Sequence, residues 1–316
     1  MNIVFMGTPD FALETLKAIY NAGHEVLAVV SQADKQVGRG MKVQMTPTKQ
    51  FAVENDIKVL QPAKIKNNQE FIDEIKSLKP DIIVVVAYGK ILPKEILEIP
   101  KYGCMNVHGS LLPKFRGAAP IQWAIINGEK VTGITTMKMD EGMDTGDIYL
   151  TEEVEITDED TYGTLYEKLK VVGANLAVET LECIIEGTIK PKKQPEVYSV
   201  APMIFKENCK IDFMKPAEQI CNLIRGVNPA PGAWFNIEDQ VYKIWKAEEI
   251  DVSQIDEEVD TSIPGRIIVS DSKKGLMIST ISGVLNVLEI QAPNMKRMEI
   301  KEYLRGHSIK EGLIIK

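Results

Sequence analysis

Residues 81–87, Asp-Ile-Ile-Val-Val-Val-Ala, form a continuous apolar run in the first half of the chain. Such a run predicts a central strand that is buried on both faces of a sheet. The sequence around it alternates short apolar runs with helical patterns, which is typical of right-handed strand-helix-strand units. We therefore expect an α/β fold in which a Rossmann-like, mostly parallel sheet carries helices on both faces.

The neighbouring segments continue this alternation of strands and helices. Apolar runs and period-two patterns predict further strands at residues 2–6, 24–31, 103–108 and 131–139. Helical periodicity predicts two helices, at residues 10–21 and 164–186. The first domain is therefore expected to cover residues 1–187.

The composition changes between residues 187 and 203, where three prolines and the cluster Lys190-Pro191-Lys192-Lys193 interrupt every periodicity. We take residues 188–206 as a linker and residues 207–316 as a second domain. Short strands separated by turn residues predict a small β-barrel in this second domain. The predicted strands are residues 233–237, 241–248, 265–270, 276–280 and 284–291, with helices over residues 216–225 and 297–304.

The overall composition limits the classes of protein that fit. A net charge of -8 and a pI of about 5.2 exclude attraction of polyanions over the whole surface, so nucleic-acid binding depends on local basic patches. The four cysteines are far apart in the sequence, which favours reduced thiols over a zinc or redox motif. Without a long apolar segment or a leader before the first strand, we expect a soluble, cytoplasmic protein. No assembly signal is present, and we expect a monomer.

Two polar side chains occupy the end of the strand predicted at residues 103–108. Asn106 and His108 flank Val107, and because side chains alternate along a strand, both project from the same face. Open α/β sheets bind ligands at the carboxyl ends of their strands. The loop of residues 139–147 follows another predicted strand, so we expect its carboxylates, including Asp144, to reach the same crevice.

Each of these polar residues has an ordinary structural explanation when it is taken alone. A histidine is often a hydrogen-bonded structural residue, and Asn106 fits a turn cap. The combination of amide, imidazole and carboxylate favours acyl transfer to an amine, which needs donors for an oxyanion and an acceptor for the amine proton. In this hypothesis Asn106 and His108 are donors, Asp144 polarises the imidazole, and no metal is required. The loop carboxylates also fit turn formers or ligands of a hard cation, and they are Asp140, Glu141, Asp144 and Asp147.

Four motifs carry a resemblance that extends over essentially the whole chain. They are Gly7-Thr8-Pro9-Asp10-Phe11-Ala12, the segment Val-Ala-Tyr-Gly-Lys-Ile-Leu-Pro at 86–93, residues 106–120 and residues 139–147. On these motifs the chain resembles the folate-dependent formyltransferase family. The resemblance implies 10-formyltetrahydrofolate as the formyl donor and Asn106, His108 and Asp144 as the catalytic trio. It implies a pterin pocket lined by residues 88–92 and 139–144, and a folate-contacting turn made of Ser110, Leu111, Leu112 and Pro113.

The trio alone does not distinguish family members that formylate glycinamide ribonucleotide, an amino sugar nucleotide or an aminoacyl-tRNA. The chain also has a long basic loop at residues 34–49, and loops of this length are uncommon unless they are functional or disordered. In tRNA-specific members of the family a matching loop contacts the end of the acceptor stem. This resemblance implies that Arg39 and Lys42 bind RNA, that the partner is charged initiator tRNA, and that the second domain is an OB-like barrel holding the tRNA. A solvated basic loop is the structural alternative.

Three rival functions can be tested against the same sequence. A nicotinamide dehydrogenase shares the strand-turn-helix opening, but residues 7–12 lack the spaced glycines that admit a pyrophosphate. A sugar-nucleotide formyltransferase shares the trio but does not need the loop that contains Arg39. A non-catalytic RNA-binding module would bind tRNA and tolerate the loss of His108 or Asp144.

Overall fold

The computed structural model describes residues 1–37, 42–255 and 259–315 of the chain. These residues group into two compact units. The first unit comprises Met1–Pro120, Val131–Glu155 and Tyr166–Pro202. The second comprises Ile121–Lys130, Ile156–Leu165 and Met203–Lys316, so two short segments from the first half of the sequence belong to it. The domain limits given by the sequence, residues 1–187 and 207–316, stay a prediction.

The first unit is built from eleven strands within the described ranges, numbered here in chain order. They are β1 (Asn2–Gly7), β2 (Glu25–Val30), β3 (Lys35–Val37), β4 (Lys42–Gln44), β5 (Lys58–Leu60), β6 (Ile82–Val86), β7 (Cys104–His108), β8 (Arg116–Gly117), β9 (Val131–Lys138), β10 (Ile148–Glu155) and β11 (Val200–Ala201). The helices of the described chain are α1 (Asp10–Asn21), α2 (Pro47–Glu54), α3 (Gln69–Leu78), α4 (Lys94–Leu97), α5 (Pro120–Ile126), α6 (Tyr162–Glu186), α7 (Ala217–Gly226) and α8 (Ile300–Gly306).

A seven-stranded sheet forms the centre of the first unit, in the order β10-β9-β7-β6-β1-β2-β5. The five strands from β7 to β5 in this order are parallel to one another, whereas β9 and β10 run antiparallel at one edge. The predicted central strand is β6, and each of its five residues is buried. The predicted mostly parallel α/β fold is therefore confirmed.

Helices cover both faces of this sheet. On one face Val85 and Cys104 belong to a buried cluster that includes Phe71 of α3 and Ile96 of α4. On the other face α6 lies so close to β7 that a Cβ added to Gly173 would lie 3.3 Å from Val107 Cγ1. Full burial of an aliphatic or aromatic side chain stabilises a fold by about 1.5–3 kcal/mol, so these two layers hold the strand ends in place.

Side-chain caps mark the starts of α2 and α3 in the first unit. The Asn68 side chain accepts a hydrogen bond of 3.1 Å from the Phe71 backbone nitrogen at the start of α3. The Thr46 hydroxyl does the same for Lys49 at the start of α2, where Pro47 occupies the first helical position. Such caps satisfy backbone donors that the first helical turn leaves unpaired.

The basic loop predicted at residues 34–49 is more regular than the sequence indicated. β3 and β4 form an antiparallel pair within it, with Lys35 opposite Gln44 and Val37 opposite Lys42. The segment that follows is already the start of α2. Arg39 lies outside the described residues. Short strands of three residues carry little periodic signal, which is why the sequence pattern did not predict them.

The second unit contains an antiparallel sheet in the order β12-β13-β16-β15-β14, with β17 paired to β16. Its core is a single buried cluster that includes Phe235, Ile244 and Leu285 of the sheet and Ile220 of α7. The sequence predicted the observed limits of two of these strands, residues 233–237 and 284–291. It predicted the start of the last helix three residues too early, at residue 297, whereas α8 begins at Ile300. The strands are β12 (Ala233–Ile237), β13 (Gln240–Ile250), β14 (Ile267–Asp271), β15 (Gly275–Ser279), β16 (Val284–Gln291) and β17 (Met298–Glu299).

Among the helices of the described ranges, none combines the length and the apolar character that a bilayer crossing requires.

Candidate active site

Asn106 and His108 lie at the carboxyl end of β7, on the same face of the sheet. β7 is held on both sides, because Asn106 lies opposite Val85 of β6 and opposite Met137 of β9. His108 is 6% exposed, and Asn106 is half-buried. Within the described part of the chain no protein group forms a hydrogen bond with the Asn106 side chain.

The imidazole of His108 is oriented by two contacts. Its Nε2 lies 3.0 Å from the Phe115 carbonyl oxygen, and its Nδ1 lies 3.7 Å from Oδ2 of Asp144. Because a carbonyl oxygen only accepts, Nε2 must carry a hydrogen, and Nδ1 is then the basic nitrogen of the neutral ring. A proton taken up at Nδ1 therefore faces the Asp144 carboxylate.

Asp144 is fixed by the backbone around it. Its Oδ2 accepts a hydrogen bond of 2.8 Å from the Gly117 backbone nitrogen, and its φ of 55° lies in the left-handed region that non-glycine residues seldom occupy. Its backbone oxygen accepts a hydrogen bond of 2.9 Å from the side chain of Gln194. The side chain of Asp144 is only 15% exposed.

The route by which Asp144 reaches His108 differs from the expected one. The sequence argument placed the loop of residues 139–147 at a strand end next to the end of β7. β9 is instead antiparallel to β7, and the Met139 backbone nitrogen donates to the oxygen of Cys104, at the start of β7. The loop therefore starts beside the amino end of β7, opposite the end that carries His108. Asp144 comes within 3.7 Å of His108 because the chain turns back towards the carboxyl end of β7.

The turn of residues 110–113 is held from inside the protein by Thr135 of β9. The Thr135 hydroxyl donates to the Ser110 oxygen at 2.7 Å and accepts from the Leu112 nitrogen at 3.0 Å. The Ser110 hydroxyl donates to the Lys114 oxygen at 2.6 Å. Ser110 and Leu112 are buried, whereas Leu111 and Pro113 are half-buried, so the turn presents those two side chains and its backbone. Sequence reasoning missed Thr135, although a threonine inside a buried strand is a signal of an internal hydrogen bond.

Asp140, another carboxylate of the 139–147 loop, shapes the loop itself. Asp140 Oδ1 accepts from the Gly142 backbone nitrogen at 3.0 Å and from the Thr145 hydroxyl at 2.6 Å, which is the geometry of a turn former. In the chain segments that the structure describes, no group of three or more histidine, cysteine, aspartate or glutamate side chains is arranged to hold a metal ion.

The side chains of residues 88–92 differ in their exposure. Tyr88 is 2% exposed, and burial raises the pKa of its phenol to about 12. Its backbone oxygen accepts a hydrogen bond of 2.8 Å from the Gln32 side chain. Ile91, in contrast, is 70% exposed. Lys42 lies on β4, where its backbone pairs opposite Val37 of β3.

An amide, an imidazole and a carboxylate at the end of a buried strand are typical of α/β enzymes that transfer an acyl group to a nucleophile. The comparison with known families defines this class further. Residues 1–181 match the family described as formyl transferase, and residues 203–308 match the formyl transferase C-terminal domain. The chain belongs to the formyl transferase family.

Relatives of the chain match it from end to end. A methionyl-tRNA formyltransferase of Caldanaerobacter subterraneus is 51% identical over 317 residues, which cover 100% of both chains. Another methionyl-tRNA formyltransferase, from Clostridioides difficile, is 52% identical over 316 residues and is also covered completely. The family resemblance drawn from the four sequence motifs is therefore confirmed.

Solved structures share the fold. An N-formyltransferase from Helicobacter canadensis, in complex with folinic acid and dTDP-3-aminofucose, superposes with a TM-score of 0.65 at 23% identity over 90% of this chain and 98% of that chain. HypX from Aquifex aeolicus, in complex with tetrahydrofolic acid, superposes with a TM-score of 0.62 at 16% identity. That match covers 96% of this chain and 46% of HypX. At these identities the likeness describes the fold alone.

Proposed function

We propose that this chain transfers a formyl group from 10-formyltetrahydrofolate to the α-amine of methionyl initiator tRNA, producing formylmethionyl-tRNA for translation initiation. The observation that carries the proposal is the end-to-end match, at 51% and 52% identity, to relatives named methionyl-tRNA formyltransferase. The sugar-nucleotide alternative has no such support, because the sugar formyltransferases among the solved structures share only the fold.

The chemistry assigns one task to each member of the trio. The sequence argument made His108 an oxyanion donor, and we assign it the role of base instead, because Nε2 is hydrogen-bonded to the Phe115 oxygen. When the neutral amine attacks the formyl carbon, Nδ1 of His108 accepts the amine proton. The Asp144 carboxylate, 3.7 Å from Nδ1, stabilises the charge that results. Asn106, whose amide has no partner among the described residues, donates to the developing oxyanion. Nδ1 then donates this proton to the folate nitrogen that carried the formyl group, as the bond between that nitrogen and the formyl carbon breaks.

The donor is a co-substrate, and the residues present suit it. The folate supplies the formyl group, and the 110–113 turn supplies Ser110, Leu111, Leu112 and Pro113 as its contacts. This turn is pinned by Thr135, so it presents a fixed surface to a flat pterin or its linker. No step of the transfer requires a metal ion.

The acceptor is bound by groups outside the trio. We assign Arg39 and Lys42 to contacts with the tRNA, and we assign residues 207–316 to an OB-like domain that holds it, joined to the catalytic domain of residues 1–187 by a linker of residues 188–206. We further propose that the enzyme is a monomer. We place it in the cytoplasm, where translation begins.

The experiment offers the purified chain 10-formyltetrahydrofolate together with methionyl initiator tRNA, glycinamide ribonucleotide or an amino sugar nucleotide in separate reactions. Mass spectrometry detects the formylated product. We expect formylmethionyl-tRNA and no formylated nucleotide. Formylation of the sugar nucleotide alone would replace the proposed acceptor. Full function of the His108→Ala and Asp144→Asn variants would show a non-catalytic RNA-binding module instead.

A further inference from the structure

We propose that Gln194 is a positioning residue for Asp144 and that Arg116 holds Gln194 in place. This inference rests on the proposed function, because it concerns the same site. Gln194 lies in the segment that the sequence indicated to be a linker, yet it belongs to the first unit and is 7% exposed. A buried amide must have its donors and acceptor paired, and the acceptors of this one lie in the loop that carries Asp144.

The amide of Gln194 joins two parts of the site. Its Nε2 donates to the backbone oxygen of Asp144 at 2.9 Å and to that of Gly146 at 2.7 Å. Its Oε1 accepts from Nε and Nη2 of Arg116, at 3.1 Å and 2.6 Å. The guanidinium of Arg116 in turn lies 4.6 Å from the centre of the Tyr198 ring, within the range of a cation-π contact.

The backbone of Asp144 needs such a hold. With φ at 55° it occupies a region that is strained for a non-glycine residue, and such a conformation persists only where the surroundings enforce it. The loop also leaves no space for a side chain at Gly146, because an added Cβ would lie 1.8 Å from the Lys138 oxygen. The two hydrogen bonds from Gln194 flank Thr145 and fix both carbonyl groups.

Three consecutive residues hold the three parts of this arrangement. The Phe115 oxygen orients His108, the Arg116 side chain orients Gln194, and the Gly117 nitrogen orients the Asp144 carboxylate. The segment that contains Gln194 fixes these residues in return, since the Ser199 hydroxyl accepts from the Phe115 nitrogen at 2.8 Å. The distance between His108 and Asp144 therefore depends on Gln194 through the loop and through Arg116.

The test compares two substitutions of the full-length chain. Gln194→Ala removes the whole amide, whereas Gln194→Glu keeps the shape and a charge-assisted pair with Arg116 but has no hydrogen to donate to the Asp144 and Gly146 oxygens. We expect both variants to lower kcat by about 10-fold to 100-fold, because small displacements of catalytic groups cost about that much. KM for the formyl donor and for methionyl-tRNA should change little. Gln69→Ala, which removes an exposed hydrogen bond to Asp73 on α3, is the matched control.

A second measurement does not depend on activity. Amide hydrogen exchange in peptides that cover residues 140–147 should become faster in both Gln194 variants and stay unchanged in Gln69→Ala. A wild-type kcat in Gln194→Glu would overturn the inference, since the contact with Arg116 would then suffice without the two donated hydrogen bonds. Unchanged exchange in both variants would also overturn it, since the loop would then not depend on Gln194. If the wild type itself fails to formylate methionyl-tRNA, the proposed function fails, and the exchange data alone decide the role of Gln194.

Discussion

The backbone nitrogen of Gly117 donates a 2.8 Å hydrogen bond to Oδ2 of Asp144, the same oxygen that lies 3.7 Å from Nδ1 of His108. A main-chain donor cannot rotate away, so it holds the carboxylate on the imidazole side. Gly117 is required at this position because its φ is 125° and an added Cβ would lie 2.6 Å from the Ala201 oxygen. The position of the Asp144 carboxylate is therefore fixed by the backbone of β8.

The charge of Asp144 is expected to matter more than its shape. In Asp144→Asn the side-chain oxygen can still accept from Gly117, but a neutral amide no longer stabilises a proton on Nδ1 of His108. We expect kcat to fall by about 100-fold to 10,000-fold, the usual contribution of acid-base groups, with the fold retained. Steady-state formylation and thermal unfolding measure the two effects, with the surface variant Asp73→Asn as control. Turnover close to that of the wild type would remove Asp144 from the mechanism.

The amide of Asn106 is expected to act through its hydrogens. Asn106→Asp has the same size, but it replaces the donor by a negative charge beside the place where the oxyanion develops. We expect kcat to fall by at least about 100-fold to 1,000-fold, the cost of losing one oxyanion donor. The kcat of this variant should be compared with that of Asn106→Ala, which lacks the donor without adding charge. A more active Asn106→Asp than Asn106→Ala would contradict a donor role.

Arg39 and Lys42 are expected to serve the acceptor and not the donor. Arg39→Ala or Lys42→Ala should lower kcat/KM for methionyl-tRNA while the affinity for the folate stays the same. If a phosphate contact is lost, the slope of the logarithm of tRNA affinity against the logarithm of salt concentration should fall by about 1. Lys66→Ala, an exposed lysine between β5 and α3, is the control. Equal activity of both loop variants and the wild type on tRNA would refute the assignment.

The buried thiol of Cys104 gives a pH dependence of known sign. Burial raises the pKa of Cys104 from 9.0 to about 12, so between these pH values the unfolded chain loses a proton that the folded chain keeps. The stability contribution of the neutral thiol is therefore fully present below pH 9 and is lost as the pH rises towards 12, by up to about 1.4 kcal/mol for each pH unit. Denaturant unfolding of the wild type and of Cys104→Ala across this window should show a steeper loss for the wild type. Parallel curves would show that Cys104 ionises freely.

The parts of the fold that repeat periodically could be predicted from the sequence. The continuous apolar run of β6 indicates burial on both faces of the sheet. The alternation along β7 indicates that Asn106 and His108 project from the same face. The approach of Asp144 to His108 was expected for a reason that is wrong, since it assumed that both loops leave the same end of the sheet, and β9 is antiparallel. Strand direction at a sheet edge depends on long-range pairing that local patterns do not encode.

The supporting hydrogen bonds of the site could not be predicted in the same way. Gln194 bonds to the Asp144 backbone across 50 positions in the sequence, and it lies among prolines and lysines that suggested only a linker. Its partners in the Asp144 loop are backbone oxygens, which any residue type supplies, so no motif marks them. The catalytic side chains were easier to find because their chemistry restricts the residue types.

Two threonines on β9 offer a final test of how the folate-contacting turn is held. The Thr135 hydroxyl satisfies both the Ser110 oxygen and the Leu112 nitrogen, whereas the buried Thr132 hydroxyl has no hydrogen-bond partner among the described residues. Thr135→Val should lower the free energy of unfolding by about 1–3 kcal/mol for each group left unpaired. It should also raise KM for the formyl donor, because the turn is no longer fixed.

Thr132→Val makes the same chemical change on the same strand but removes only an unpaired hydroxyl, so we expect a neutral or slightly stabilising effect and an unchanged KM. Urea unfolding and donor titration measure both quantities for the two variants. Equal destabilisation by both substitutions would show that β9 merely tolerates valine poorly. A normal KM in Thr135→Val would show that the turn keeps its shape without the hydroxyl.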